Sequence, residues 1–223
     1  MSGRVVALHG FLGRGADWQA VRAASTARLD WICPDLFAPG SSGASWSRPA
    51  SEPAWLLGYS YGARRALQLL ADEPSRWHGA VLVSVNPGNF MTEAQRAERK
   101  RADRDWAAAF RSEDWSGLLA RWNAQQVFAG SGEPRRVEAD FDRAKLADAL
   151  ENFSVADQFV DQAKLTGRLV WLAGGGDAKF VRLLESMRDT GFPGTFSVVP
   201  DAGHRLLPDA PRAVAEALDR LTS

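Results

Sequence analysis

Short continuous apolar runs recur along this chain, and helical periodicities separate them. Val5-Val6-Ala7-Leu8, Trp31-Ile32-Cys33, Trp55-Leu56-Leu57, Ala80-Val81-Leu82-Val83-Ser84-Val85, Leu169-Val170-Trp171-Leu172-Ala173 and Phe196-Ser197-Val198-Val199 are the runs. Runs this short and this continuous predict strands of a sheet buried on both faces. Between them, Asp17, Trp18, Val21 and Ala24 mark one helix. Ala63, Ala66, Leu67, Leu70 and Ala71 share the face of a second. Phe180, Leu183, Leu184 and Met187 mark another, and Val214, Ala217, Leu218 and Leu221 a closing one. Strands alternating with helices predict an α/β fold: a mostly parallel sheet with helices on both faces.

The alternation is interrupted once. Thr92-Glu93-Ala94-Gln95 is a capping-box start. It opens a long, charge-dense helix carrying Arg96, Arg99, Lys100, Arg101 and Arg104, with Trp106, Ala109 and Phe110 on its apolar face. Trp115, Leu118, Leu119 and Trp122 make a second helical stripe, and Leu146, Leu150 and Phe153 a third. No strand pattern occurs between Pro87 and Thr166. The division that follows is a core of residues 1–87 and 166–223 with a helical cap insertion at 88–165. Ala38 to Pro53 is Ser-, Gly- and Pro-rich and reads as loop. Its only large apolar residue is Trp46, so no helix precedes the Trp55 strand. Part of the sheet there needs another cover, either local packing around Trp18, Trp31, Trp46 and Trp55 or a second subunit. Monomer and homodimer both remain open.

Composition narrows the partners. In 223 residues, 45% hydrophobic content supports one core, and 27 basic residues balance 27 acidic ones. Zero net charge gives no global reason to expect nucleic acid or an anionic membrane. No apolar stretch approaches the ~20 residues that cross a bilayer, and no signal-peptide pattern opens the chain. The one cysteine, Cys33, reads as a small buried strand residue and suits a reducing compartment. A cytoplasmic protein without membrane or nucleic-acid partner is the expectation.

The chemistry gathers where strands end. After Trp55-Leu56-Leu57 comes Gly58-Tyr59-Ser60-Tyr61-Gly62, a G-x-S-x-G that opens a helix, the setting of a nucleophile elbow. Asp177 follows the Leu169 strand, and His204 follows the Phe196 strand. Serine, acid, histidine is the chain order of an α/β-hydrolase triad. An imidazole would activate the Ser60 hydroxyl, and a buried carboxylate would hold that imidazole's tautomer. The backbone N–H groups of Phe11 and Tyr61 would form the oxyanion hole. Asp177 also suits a helix N-cap and Asp201 is its rival as the acid, but Asp177 is preferred because it follows the strand where the hydrolase order expects the acid. His9, in His9-Gly10-Phe11, reads as a structural hydrogen-bonder rather than a catalyst, and His78 as a surface loop residue. No metal or other cofactor is called for.

Leu8-His9-Gly10-Phe11-Leu12-Gly13 with Ala16-Asp17-Trp18, the elbow with Ala63-Arg64, Asn86-Pro87-Gly88, and Glu98-Arg99 through Asp103-Arg104-Asp105-Trp106 form a wider pattern. Trp122 with Gln126-Val127-Phe128, Gly176-Asp177-Ala178-Lys179-Phe180 and Ala202-Gly203-His204 complete it. Over nearly the whole chain it resembles the 2-succinyl-6-hydroxy-2,4-cyclohexadiene-1-carboxylate synthases of menaquinone biosynthesis. The resemblance implies an α/β-hydrolase-fold lyase that expels pyruvate from 2-succinyl-5-enolpyruvyl-6-hydroxy-3-cyclohexene-1-carboxylate, with Ser60 as base. It implies Arg64, Arg99 and Arg143 as carboxylate clamps, with His9, Tyr59 and Trp122 as further substrate-binding residues. Asn123 departs from the pattern, standing where the family often has an aromatic. Two other readings compete: a carboxylesterase or thioesterase with Ser60 as covalent nucleophile, and a non-catalytic ligand-binding relative.

Overall fold

Neighbouring residues of the apolar runs enter opposite layers. Val5 and Ala7 join one core while Val6 and Leu8 join the other, and Leu57 and Leu56 divide the same way. That period of two is the pleat of a strand covered on both faces. The computed structural model describes residues 3–41 and 53–223. Its strands are β1 (Gly3–Leu8), β2 (Leu29–Ile32), β3 (Ala54–Tyr59), β4 (Trp77–Val83), β5 (Arg168–Gly174) and β6 (Thr195–Val199). They form one sheet in the order β2-β1-β3-β4-β5-β6, every pairing parallel. β4 stops two residues short of the expected Val85, and His78 lies exposed within it rather than in a loop.

The helices are α1 (Gln19–Ala24), α2 (Tyr61–Asp72), α3 (Glu93–Ser112), α4 (Trp115–Asn123), α5 (Arg143–Asn152), α6 (Ala178–Asp189), α7 (Leu206–Asp209) and α8 (Pro211–Thr222). α2 and α6 cover one face through Ala63, Ala66, Leu67, Leu70, Leu184 and Met187. α1 and α8 cover the other through Val21, Val214, Leu218 and Leu221. Each such leucine, fully buried, contributes about 1.5–3 kcal/mol. Trp55 is 6% exposed in the α1/α8 layer, with Trp31 and Cys33 packed against it. The sheet beside β3 is thus filled locally to that extent. Trp46 and the proposed gap around it lie outside the described residues.

The strand order changes direction between β1 and β3, and ligands of parallel sheets gather at such a switch point. Both strands end there, β1 in the loop of His9 and Phe11 and β3 in Ser60. Residues 84–167 add no strand among the described residues. Instead α3, α4 and α5 build a third core with Leu12 and Phe37 from the β1 and β2 loops. Thr92 caps α3 reciprocally: its hydroxyl accepts from the Gln95 N–H, and its own N–H donates to Gln95 Oε1. Arg96 latches the carbonyls of Gly88, Ala156 and Gln158. No described helix is long and apolar enough to cross a membrane.

Two glycines set close approaches. A Cβ on Gly62 would stand 2.0 Å from the Leu8 carbonyl oxygen, and one on Gly174 2.1 Å from that of Gly203. The first lets α2 start against β1, and the second brings the loops after β5 and β6 together.

His9 is a structural ligand of the backbone. It is fully buried, its Nδ1–H donates to the Gly10 carbonyl at 2.8 Å, and its Nε2 accepts the Leu36 N–H at 2.9 Å. With both nitrogens occupied it ties the β1 loop to the β2 loop, and nothing is left to bind substrate. The role implied by resemblance is corrected here. Burial lowers its pKa from 6.5 to about 4.

Gly62→Ala should destabilise the protein by about 1–3 kcal/mol or more, because the new methyl meets backbone rather than a movable side chain. Urea midpoints check this, and an unchanged midpoint would rule out the close approach. For His9, the unfolded imidazole takes a proton near pH 6.5 whereas the folded one waits until about pH 4. Stability should therefore fall as pH drops from about 6.5 to 4 and level off below, by roughly 3 kcal/mol from this group. Denaturation midpoints against pH should show a flatter slope in His9→Gln over that window.

Candidate active site

The elbow is a strand forced straight into a helix. Ser60 ends up at φ 52°, ψ −109°, a conformation that costs a side-chain-bearing residue on the order of 1–3 kcal/mol. Its N–H donates to the Val83 carbonyl at 2.8 Å, which fixes the turn to β4. Ser60 occupies the N-cap of α2, half-buried, with its hydroxyl lifted to the sheet edge.

The hydroxyl of Ser60 lies 3.2 Å from His204 Nε2, and His204 Nδ1 lies 2.8 Å from Asp177 Oδ2. The carboxylate accepts the Nδ1–H, which leaves Nε2 free to accept from serine. Asp177 has a second job: its Oδ1 accepts the Phe180 N–H and caps α6. The two roles set against each other in the sequence are therefore filled by one carboxylate. Asp201, the rival acid, is exposed in a turn at φ 57°. The Ser84 hydroxyl donates to the His204 carbonyl at 3.0 Å and holds the loop. Rings surround the imidazole, with Phe180 at 4.5 Å and Phe128 and Tyr59 each at 5.8 Å between centroids. Phe180 and Phe128 had drawn no site role in the sequence, where Phe180 read as helix face.

A cavity of about 410 Å³ opens over the serine. Phe11, Tyr59, Tyr61 and Trp122 line it, together with Arg64, Arg99 and Lys179. Tyr61 is the first residue of α2, so its N–H is among those that a helix leaves without an internal acceptor. Phe11 stands across the cavity, its ring 6.3 Å from that of Tyr61 and 4.8 Å from Trp122. Burial, with Arg99 nearby, lowers the Arg64 pKa from 12.5 to about 10. Its Nη1 donates to the Phe153 carbonyl at 2.7 Å, and the rings of Tyr61 and Phe153 flank it. Among the described residues no carboxylate pairs with it. A half-buried guanidinium facing a cavity without a counter-ion is suited to an anionic ligand. Arg99 donates to Asp103 at 2.8 Å, and the Ser154 hydroxyl holds the other oxygen of that carboxylate at 2.7 Å.

Arg143 is elsewhere. Its guanidinium donates to the carbonyls of Phe110 and Glu113, at and just beyond the end of α3, and to Glu138. A cation at a helix C-terminus satisfies free carbonyls and the negative end of the dipole. The clamp role implied for Arg143 is corrected to a helix cap. Asn123 finds its reason here too: its side-chain oxygen accepts from Arg205, which also bonds the Gly132 carbonyl and stacks 4.1 Å over Phe128.

No family model matches the chain. A curated 2-succinyl-6-hydroxy-2,4-cyclohexadiene-1-carboxylate synthase of Escherichia coli O1:K1 / APEC is 32% identical over 242 aligned positions, covering 97% of this chain and 92% of the relative. The synthase of that name from Escherichia coli O157:H7 is 31% identical, with the same coverage. Among solved structures, MenH from S. aureus superposes with a TM-score of 0.81 at 19% identity, covering 97% of this chain and 91% of that one. A thermophilic esterase from Thermogutta terrifontis, solved with malate bound, gives 0.75 at 21%, covering 98% and 90%. At those identities the structures speak to the fold, and the fold they share is the α/β-hydrolase. Sequence identity across nearly the full length of both chains goes further: the chain belongs to the 2-succinyl-6-hydroxy-2,4-cyclohexadiene-1-carboxylate synthase family.

Proposed function

We propose that this protein is a carbon–oxygen lyase of menaquinone biosynthesis. It eliminates pyruvate from 2-succinyl-5-enolpyruvyl-6-hydroxy-3-cyclohexene-1-carboxylate to give 2-succinyl-6-hydroxy-2,4-cyclohexadiene-1-carboxylate. One observation carries the reading: a serine triad opens into a cavity whose half-buried Arg64 has no carboxylate partner among the described residues. An unpaired cation beside the nucleophile suits an anionic substrate. The proposed substrate carries three carboxylates.

The chemistry uses the triad as a base. His204 draws the proton from Ser60, and Asp177 stabilises the resulting imidazolium. The serine oxygen then takes the proton from the ring carbon that bears the succinyl arm. The electron pair moves onto the arm's ketone oxygen, where the N–H groups of Phe11 and Tyr61 would hold the enolate. As the enolate collapses, the ring double bond shifts, a second one forms, and the bond from ring to enolpyruvyl oxygen breaks. The departing enolate of pyruvate takes a proton from the His204–Ser60 pair, which returns to its starting state. Arg64 and Arg99 bind carboxylates, Tyr59 and Trp122 wall the ring, and residues 88–165 act as a cap that keeps water out. The lone cysteine suits a reaction in the cytoplasm.

Incubation with the enolpyruvyl substrate should release pyruvate. Ester hydrolysis with an acyl-enzyme burst and no pyruvate would overturn the reading. Ser60→Ala and His204→Ala should each lower kcat about a thousandfold or more, and the double variant little further, because base and activator act as a unit. Near-parental rates in both would dissolve the triad assignment. Arg64→Ala should cost ~2–4 kcal/mol in kcat/KM, and Arg64→Lys should recover little because the planar fork is lost. Unchanged kinetics in Arg64→Ala would move the clamp to other residues.

A further inference from the structure

Lys179 has a poor structural reason to be a cation. It sits in the first turn of α6, at the positive end of the helix dipole, where lysine is disfavoured. Arg99 faces it across the cavity, and among the described residues it forms no ion pair or hydrogen bond. The nearest acid in sequence, Asp177, is engaged with His204 and the helix cap. Lys179 stands exposed at the rim of the cavity, its ammonium 6.0 Å from the Phe180 ring and in the field of the Asp177 carboxylate. Desolvation and the repulsion from Arg99 hold its pKa below the ordinary lysine value. A cation at the positive end of a helix, set opposite a second cation on the lining of a cavity, points to an anionic ligand there.

Its position says which part of a ligand. Lys179 and Arg99 line the cavity over Ser60, and they also line a neighbouring cavity of about 520 Å³. Asn86 and Val155 are shared as well, so these residues form the neck where the two spaces meet. Arg64 lines only the first. Glu98, the carboxylate that lines the second, makes no ion pair with Lys179. Resting on the elimination reading, we infer that Lys179, with Arg99, binds the terminal carboxylate of the substrate's succinyl arm as that arm leaves the triad cavity through the neck. The ring and its ketone stay over Ser60, and the flexible arm is the part long enough to extend away. A compact, strongly hydrated ammonium on a flexible stem suits a mobile terminal carboxylate better than a fixed fork does.

Calorimetric titration with 2-succinylbenzoate, an aromatic analogue of the proposed product, reads this without turnover. Its partner probe has the terminal carboxylate converted to an amide. Lys179→Met should weaken binding of the acid probe tenfold or more and leave the amide probe within about twofold. Lys179→Arg should retain most of the affinity for the acid. In turnover, Lys179→Met should raise KM while kcat changes little. Equal binding of the acid probe by parent and Lys179→Met, or an equal loss for both probes, would overturn the inference while leaving elimination intact. If the parent protein neither binds the acid probe nor releases pyruvate, the elimination reading itself falls and takes the inference with it.

Discussion

Ser60 can hold its hydroxyl above the sheet only in a backbone conformation that an L-residue resists. At φ 52° and ψ −109° the turn is kept by its surroundings. Val83 takes its N–H, and α2 abuts β1 so closely that Gly62 has no room for a Cβ beside the Leu8 carbonyl. Those contacts come from the two strands that flank β3, so the nucleophile's geometry is a property of the sheet's centre. The partners are brought in by a second close approach. Gly174 lies against the loop after β6, and that contact sets the distance from Asp177 to His204. Two glycine-limited contacts, one of helix on strand and one of strand end on loop, thus fix a three-residue constellation drawn from distant parts of the chain.

Charge in the site is distributed unevenly. The triad's acid is spent on its histidine, and Asp103 is spent on Arg99 and Ser154. Arg64 and Lys179 are left without carboxylate partners among the described residues. Such an arrangement suits an anionic ligand, since a partly desolvated cation is costly unpaired. The aromatic wall of Phe11, Tyr59, Tyr61 and Trp122 does the complementary work of excluding water, so each ionic contact is stronger than it would be in solvent.

Much of this was legible in the sequence, because the signals were local. The period-two runs gave the strands to within a few residues, and Thr92 with Gln95 gave the start of α3. The elbow, Asp177 and His204 lay at strand ends, where a parallel sheet collects them. What failed depended on reach. Arg143 turns its side chain to the end of α3, away from the cavity, while His9 is the structural hydrogen-bonder its own setting suggested, bonded to Gly10 and Leu36. No pattern of residues states where a long side chain goes. Lys179 escaped notice for the same reason: only the fold sets Arg99 opposite it and opens two cavities on either side. Trp46 and the loop around it fall outside the described residues, and the proposed cover for the sheet stays with them.

Asp177 holds a helix start with one oxygen and a histidine with the other. Asparagine caps helices about as well as aspartate does, but it cannot stabilise an imidazolium. A lineage released from selection on this reaction could therefore exchange Asp177 for asparagine and keep its α6 and its sheet. The outcome would be a well-folded protein that has quietly stopped being an enzyme. Abundance in the cell would not betray the change, and neither would a thermal melt.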